Sequence, residues 1–233
     1  MISVVIPTYN EGCNMERCLS TLSNQSIARD EYEIIVVDGK SKDATVEIAK
    51  KYADKIVFQK SSGIAGARND GVRGASGSII ATTDADAVVP PFWLERIKAY
   101  FEDPGVVGVV GPVEPIEPSP RSKVLFRLGN LGQLLTYRLS IIQTPGNNCA
   151  FRKDAFLSAG CFKDLCYNDD VEMGLRLRKM GKIAYDPHIK VKVSTRRMDR
   201  EGYLRTLMYW IKGEALVLLC GNVEYRKYAR KEP

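Results

Sequence analysis

The segment Ile2-Ser3-Val4-Val5-Ile6-Pro7-Thr8-Tyr9-Asn10-Glu11 opens as a short apolar, β-branched run and turns polar after a proline. A second run of the same kind, Glu33-Ile34-Ile35-Val36-Val37, ends at Asp38. Between them Met15, Leu19 and Leu22 recur at helical spacing behind Asn14, a residue type that caps helix N-termini. Strands over Ile2–Ile6 and Glu33–Val37 with a helix between them form a βαβ unit. Outward from that unit the alternation continues. Ala44, Val46, Ile48 and Ala49 suit a helix, Ile56–Phe58 a strand, Ala65–Val72 a helix, and Ser78–Thr82 a strand running into Asp84. This order predicts an α/β domain with a mostly parallel sheet and helices on both faces, and such sheets bind ligands at the C-terminal ends of their strands.

After Val106–Val110 the texture changes, because Pro112, Pro115, Pro118 and Pro120 argue against both a helix and a central strand, leaving an irregular connector. A helical stripe follows over Arg121–Ile142, at Val124, Leu128, Leu131, Leu135 and Ile142, with Arg121, Lys123 and Arg127 at its start. A second stripe comes late, at Leu204, Leu207, Met208, Ile211, Ala215 and Leu218.

Composition sets bounds on this reading. The chain has 233 residues, 45% of them apolar and 27% charged, which excludes collagen-like, low-complexity and disordered classes. Its longest uncharged stretch is the 13 residues Leu139–Phe151, which hold Gln143, Pro145 and Gly146, so no membrane-spanning segment is expected. The N-terminus lacks the basic region and cleavage site of a signal peptide, which predicts a cytoplasmic location. There the six cysteines, Cys13, Cys18, Cys149, Cys161, Cys166 and Cys220, read as small buried hydrophobes; they include no CxxC pair. Residues 196–233 carry nine basic and five acidic side chains, four of the six net charges, so an anionic partner meets this end first.

Three strand ends gather polar residues. Asp84-Ala85-Asp86 places two hard oxygen ligands where they can hold a divalent ion against a diphosphate, although acidic pairs on loops are commonly just solvated turns. Pro7-Thr8-Tyr9-Asn10-Glu11 and Asp38-Gly39-Lys40-Ser41-Lys42-Asp43 end the first two strands and face the same crevice. Asp43 suits a turn and helix cap; Asp38, closing an apolar strand directly, is read as a ligand contact.

With Gly66-Ala67-Arg68-Asn69, Gly146-Asn147-Asn148-x-Ala150-Phe151-Arg152 and Asp169-Asp170-Val171-Glu172-x-x-x-Arg176-Leu177, these motifs resemble glycosyltransferase family 2, in the family's order and over roughly residues 1–197. Val193-Ser194-Thr195-Arg196-Arg197 is similar to a bacterial and archaeal subgroup with a Ser-x-Arg-Arg segment. The resemblance implies a GT-A type, Rossmann-like sheet and inverting sugar transfer from a nucleotide diphosphate-sugar, dependent on Mg²⁺ or Mn²⁺. It places Pro7, Thr8, Asn10, Glu11 and Asp38 around the nucleotide, Arg68 beside the diphosphate or Asp84, Asp84 on the nucleotide sugar, and Asp86 on the metal. Asp170 becomes the general base, with Asp169 standing where Glu is commoner, so the choice of base between the two is left open; Gly146, Asn147 and Asn148 become a sugar-binding loop. The expected organisation is a domain over residues 1–197, with nucleotide binding assigned to residues 1–111 and the acceptor side to residues 112–197, followed by an amphipathic helix and basic tail over residues 198–233.

The chemistry suits these assignments, since inverting transfer needs one base and one neutralised leaving group. Glu172 could serve a retaining route as nucleophile, but reads better as an exposed helix residue supporting Arg176 one turn on. Arg196 and Arg197 fit a phosphate clamp and a solvated basic face equally well. His188, the only histidine, reads as a surface or packed residue rather than a metal ligand. The turn after the first strand contains no GxGxxG, which excludes a dinucleotide-binding oxidoreductase. Two rivals stand: a nucleotidyltransferase making nucleotide-sugars, whose glycine-rich, Arg-containing loop is missing after the first strand, and a catalytically silent module that docks on membranes or a partner. The expected partners are the donor and an acceptor, lipid-linked or soluble, and no nucleic acid. The two late apolar stripes with their cationic flanks suit a peripheral membrane contact, the core, or a homodimer contact.

Overall fold

The computed structural model of the chain describes residues 1–139, 144–165, 169–208 and 211–212. The N-terminal half runs β1 (Ile2–Thr8), α1 (Gly12–Ser23), β2 (Tyr32–Asp38), α2 (Thr45–Ala49), β3 (Lys55–Phe58), α3 (Gly63–Gly74), β4 (Ile79–Thr82), β5 (Ala87–Val88), α4 (Trp93–Tyr100) and β6 (Val106–Val110). The C-terminal half runs β7 (Val113–Pro115), α5 (Pro120–Arg138), β8 (Cys149–Arg152), α6 (Lys153–Ser158), α7 (Asp169–Leu177), β9 (Lys182–Tyr185), β10 (Val191–Val193) and α8 (Arg196–Glu201). Residues 203–208 are again helical.

The main sheet has the order β3-β2-β1-β4-β8-β6-β9; β8 is antiparallel to both neighbours and every other adjacent pair is parallel. Side chains alternate across its plane. Val4, Ile6, Ile34 and Val36 join Met15, Leu19, Trp93 and Leu94 in one core, while Val5, Ile35 and Val37 join Ala67, Val72, Phe156 and Leu177 in the other. Each fully buried Val, Ile or Leu adds about 1.5–3 kcal/mol of transfer free energy, which explains why these strands read as unbroken apolar runs. A second sheet, β5-β10-β7, was not foreseen from the sequence; its strands are two or three residues long, too short to show a period.

Several local expectations need correction. β1 does not stop before Pro7 but continues to Thr8. Backbone groups alternate sides along a parallel strand, so the side on which Thr83 N–H bonds Val5 is also the side Pro7 faces, beyond the last β1–β4 pair at Val5 and Thr82. A proline there breaks no ladder bond. α1 is entered through Glu11, with Asn14 inside the helix rather than capping it. Pro120 does not oppose α5 but is its first residue, where the missing N–H is harmless, behind a Ser119–Ser122 capping box. The connector before it contains β7.

α5 buries Ser122, Leu125, Phe126 and Gln133, whereas the stripe Val124, Leu128, Leu131, Leu135 and Leu139 is 50–70% exposed. The core is therefore not where that stripe goes. Among the described residues no helix is long and apolar enough to cross a membrane. The expected boundary after Arg197 falls inside α8, and Met198 packs against the core, so no structural break lies there. Residues 1–111 and 112–197 share one sheet, since β8 sits between β4 and β6. Cys18 and Cys149 are buried as expected, but Cys13 is exposed and Cys161 is partly so. His188 is exposed. Ile142, Cys166, Ala215, Leu218 and Cys220, all singled out from the sequence, lie outside the described residues, as does the basic tail over 213–233.

Candidate active site

The C-terminal ends of β1 and β2 carry two loops knitted to each other. Asn10 adopts a left-handed backbone (φ 52°), which Asn tolerates, and so turns the chain out of β1. Its N–H donates to Ser41 Oγ at 2.9 Å, and its Oδ1 accepts the Lys42 N–H at 2.8 Å. Glu11 N–H donates to Thr45 Oγ1 at 2.9 Å, and Gly12 N–H to Asp43 Oδ2 at 2.9 Å. Asp43 Oδ1 also accepts the Thr45 N–H at 3.1 Å, so the turn expected of Asp43 is made just ahead of α2, whereas the N-cap position of that helix is Ala44, without a side-chain cap. Although burial opposes it, these bonds hold the Asp43 carboxyl below the ordinary range. Buried Asp38 accepts the Lys40 and Ser41 N–H groups on Oδ2 at 3.0 and 3.1 Å, while its Oδ1 has only a 3.3 Å contact with Ser41. The turn role of Asp38 is thus realised, and one oxygen is left lightly used.

The neighbouring strand ends, β4 with α3 and α7, form a different kind of site. Buried Arg68 donates Nη2 to Asp84 Oδ1 at 2.9 Å and lies 3.8 Å from Asp169 Oδ2. Burial lowers its hold on the proton, but Asp84 and Asp169 outweigh that and keep the guanidinium charged. Gly146 packs flat against this guanidinium: a Cβ there would lie 2.2 Å from Arg68 Cζ. Thr144 Oγ1 donates to the Asp170 carbonyl at 2.5 Å, tying the same loop to the start of α7. Burial, with Asp84 and Glu11 adding like charge, pushes the Asp86 carboxyl up to about 7. Burial and then Asp169 push Asp170 up to about 7 as well, and Asp169 itself is raised by burial.

Buried polar atoms are normally paired. Among the described residues the side-chain exceptions are Thr8 Oγ1, Thr83 Oγ1, Arg68 Nε, Asn147 Oδ1 and Asp169 Oδ2, all at this end of the sheet. Thr83 escaped the sequence reading, although its place between the strand and Asp84 was a usable signal.

The structure separates residues that the motifs had grouped. Arg196, at the head of α8, pairs with Glu11 Oε1 at 2.6 Å beside Asp86, whereas Arg197 points to Glu201 at 3.4 Å and belongs to a solvated face. Asn148, expected in the sugar-binding loop, turns its side chain into the core. It is fully buried, its Nδ2 donating to the Pro112 and Ile189 carbonyls at 2.8 and 2.7 Å and its Oδ1 accepting Trp93 Nε1–H at 3.0 Å. Glu172 is not exposed but buried, paired with Arg176 at 2.5 Å as spacing predicted and also with Lys163 at 2.7 Å. Burial opposes ionisation of Glu172, yet these cations hold it below the usual carboxylate range.

A divalent ion suits the Asp84–Asp86 loop. Half-buried Asp86 feels two other carboxylates, Asp84 and Glu11, with Arg196 as the nearby compensating cation, a crowding that a dication would relieve. No cluster of three metal-ligating side chains exists among the described residues, so such an ion would complete its shell with ligand oxygens, as Mg²⁺ does on substrate phosphates.

The sequence model described as glycosyl transferase family 2 matches residues 3–162. The glycosyltransferase AglE of Haloferax volcanii is 37% identical over 101 residues, 41% of this chain and 33% of that protein. The amylovoran biosynthesis glycosyltransferase AmsE of Erwinia amylovora is 27% identical over 203 residues, 83% of this chain and 76% of that protein. The chain spans about a third or less of the length of AglE and of the validoxylamine A glucosyltransferases of Streptomyces hygroscopicus. Among solved structures, the mannosyltransferase PcManGT from Pyrobaculum calidifontis, in complex with GDP-Man and Mn²⁺, superposes with a TM-score of 0.73 at 22% identity, covering 97% of this chain and 65% of that one. Glucosyl-3-phosphoglycerate synthase from Mycobacterium tuberculosis, with Mn²⁺ and UDP, superposes with a TM-score of 0.67 at 17% identity, covering 96% and 81%. These superpositions establish a shared GT-A type fold.

Proposed function

The chain belongs to glycosyltransferase family 2, and from that premise we propose that it transfers a sugar from a nucleotide diphosphate-sugar to an acceptor hydroxyl or phosphate, with inversion and with Mg²⁺ or Mn²⁺ at Asp86. The observation that carries this reading is the carboxyl cluster around buried Arg68, which pairs with Asp84 at 2.9 Å and lies 3.8 Å from Asp169, with half-buried Asp86 and Asp170 beside these two in the chain. Pro7, Thr8, Asn10, Glu11 and Asp38 frame the nucleotide, Arg68, Asp84 and Arg196 face its diphosphate, and Gly146, Asn147 and Asp169 line the sugar. When bound, the ion would neutralise the departing diphosphate.

The acceptor proton passes to Asp170 while the acceptor oxygen bonds the anomeric carbon from the face opposite the diphosphate, whose oxygen departs with the bonding electrons. Arg68 neutralises Asp169, which leaves Asp170 as the base. The two-step retaining route needs a free carboxylate nucleophile, and Glu172 is occupied by Arg176 and Lys163. A nucleotidyltransferase is disfavoured by the family match, and a silent module has no use for two carboxyls held beside like charges. PcManGT is described with GDP-Man and TarS of S. aureus with UDP-GlcNAc, so both bases enter the test. Calorimetry of GDP and UDP with Mn²⁺ and with chelator, on wild type and Asp86→Ala, checks the donor site. Tenfold or greater weakening on chelation or substitution is expected, on the order of one lost ion–phosphate contact; equal affinity throughout rejects the metal.

The exposed α5 stripe supports a second element: the protein works on the inner surface of a membrane. Val124, Leu128, Leu131, Leu135 and Leu139 lie along one exposed face with Arg121, Lys123 and Arg127 at its head, the pattern of an interfacial helix. Flotation with anionic and neutral liposomes tests it. Salt-sensitive binding to the anionic vesicles is expected, and a protein that never floats turns this face toward a second copy instead.

A further inference from the structure

Asn69 sits in the Gly66–Asn69 motif, beside Arg68, yet the transfer chemistry leaves it unused. It is buried on α3, and its Nδ2 donates to the Phe162 carbonyl at 2.8 Å while its Oδ1 accepts the Phe162 N–H at 3.0 Å. The amide thus acts as a strand neighbour for one residue 93 positions away. The same segment is gripped from α7. Arg176 donates Nη2 to the Cys161 carbonyl at 2.7 Å, Nη1 to the Ala159 carbonyl, and Nε to Glu172 at 2.8 Å. Lys163 reaches Glu172 at 2.7 Å. Between these grips the chain passes through two left-handed residues, Gly160 (φ 89°) and Cys161 (φ 61°), the second a conformation that a side chain resists and surrounding bonds must hold.

The Phe162 ring, placed by these bonds, lies 5.9 Å from Arg68 Cζ and packs edge-on to Phe156 at 5.1 Å. One turn of α3 therefore carries both the guanidinium that faces Asp84 and Asp169 and the amide that holds segment 159–163. α7, whose first residues are Asp169 and Asp170, is bolted to that segment through Arg176 and Glu172. We propose that Asn69 is a positioning residue for sugar transfer, holding the Asp169–Asp170 end of α7 in register with Arg68 and Asp84 through the Phe162 main chain. This rests on the proposed function, because the group positioned is the base.

The test compares wild type, Asn69→Ala, Arg176→Lys, Asp170→Asn and the Asn69→Ala/Asp170→Asn double variant. Binding of GDP and UDP with Mn²⁺ and hydrolysis of GDP-mannose and UDP-N-acetylglucosamine are measured on each. Asn69→Ala should leave nucleotide affinity within about twofold, the spread of an uncoupled site. It should leave KM for the sugar nucleotide unchanged while kcat falls by about 10–100-fold, since a misplacement of ~1 Å costs on the order of 10²-fold. In the Asp170→Asn background it should remove nothing further. Should Asn69→Ala fail to fold, Arg176→Lys, which keeps charge for Glu172 but cannot span both carbonyls, must show the same split. Nucleotide affinity and kcat falling together, or an additive double variant, overturns the inference and spares the proposed function. A wild type that hydrolyses neither sugar nucleotide while binding neither nucleotide removes both.

Discussion

The loops after β1 and β2 and the site formed by β4, α3 and α7 lie at the same end of one sheet, but they are built on opposite principles. In the first, Thr8 Oγ1 apart, charges and amides satisfy each other: Asp43 takes three donors, Asn10 bridges to Ser41 and Lys42, and Asp38 holds its own turn. In the second, Arg68, Thr83, Asn147 and Asp169 keep buried atoms without a hydrogen bond, and Asp86 and Asp170 are pressed against like charge. A self-satisfied loop presents a rigid shape at no further cost. An under-satisfied one stores unfavourable desolvation that a charged ligand can relieve. The difference marks one side as a mould and the other as a reacting centre.

The contrast is broken most directly at Asp170. Asp170→Asn should cut turnover by about 10²–10⁴-fold, the contribution of a general base, while GDP or UDP affinity stays unchanged. A more severe loss in Asp169→Asn would move the base by one residue. Next comes Gly146→Ala. Its Cβ would displace the Arg68 guanidinium, a side-chain end that could yield were it not pinned by Asp84 and Asp169. Turnover should therefore fall on the order of 10²-fold, as expected for a misplaced reacting group. Circular dichroism melts should shift far less than for a core substitution; a large melting change with normal kcat would mean that the loop is merely structural.

The mould should respond the other way. Asp43→Ala removes the tie to Gly12 and the turn bonds to Thr45, so a loss of about 1–2 kcal/mol is expected in urea unfolding, with kcat preserved once donor is saturating. If kcat falls instead, the two regions are not separable.

The smallest effect is a pH slope. Asp170 is raised from 3.8 to about 7, so across that window the folded chain holds a proton that the unfolded chain has released. Stability should then fall as pH rises from 4 to 7. Activity should rise over the same interval, because the base must be ionised. Asp170→Asn should reduce the stability slope and leave the share that Asp86, also raised to about 7, contributes, as urea midpoints taken across this pH range would reveal.

How legible this was depended on distance along the chain. The β1–α1–β2 unit, the Asp84–Asp86 loop and the acidic start of α7 could be read because apolar period and strand-end polarity are local properties. The burial of the Asn148 and Glu172 side chains was not legible because their partners, Ile189 and Trp93 for one and Lys163 for the other, come from elsewhere in the chain. Arg196 and Arg197 were indistinguishable as neighbours, and only the docking of α8 against Glu11 separates them.

By itself, then, the sequence determined the α/β alternation, the apolar strands buried on both faces, and which residue types stand at the strand ends. Apolar period and turn chemistry are written within a few residues of where they act. Tertiary structure alone decided that β8 runs antiparallel between β4 and β6, that the leucine stripe of α5 faces outward, and that Arg68 spans Asp84 and Asp169 on the bare backbone of Gly146. Each of those outcomes turns on which distant surfaces meet, and on the cost of leaving a charge or a methyl without its partner, which no short window of sequence contains.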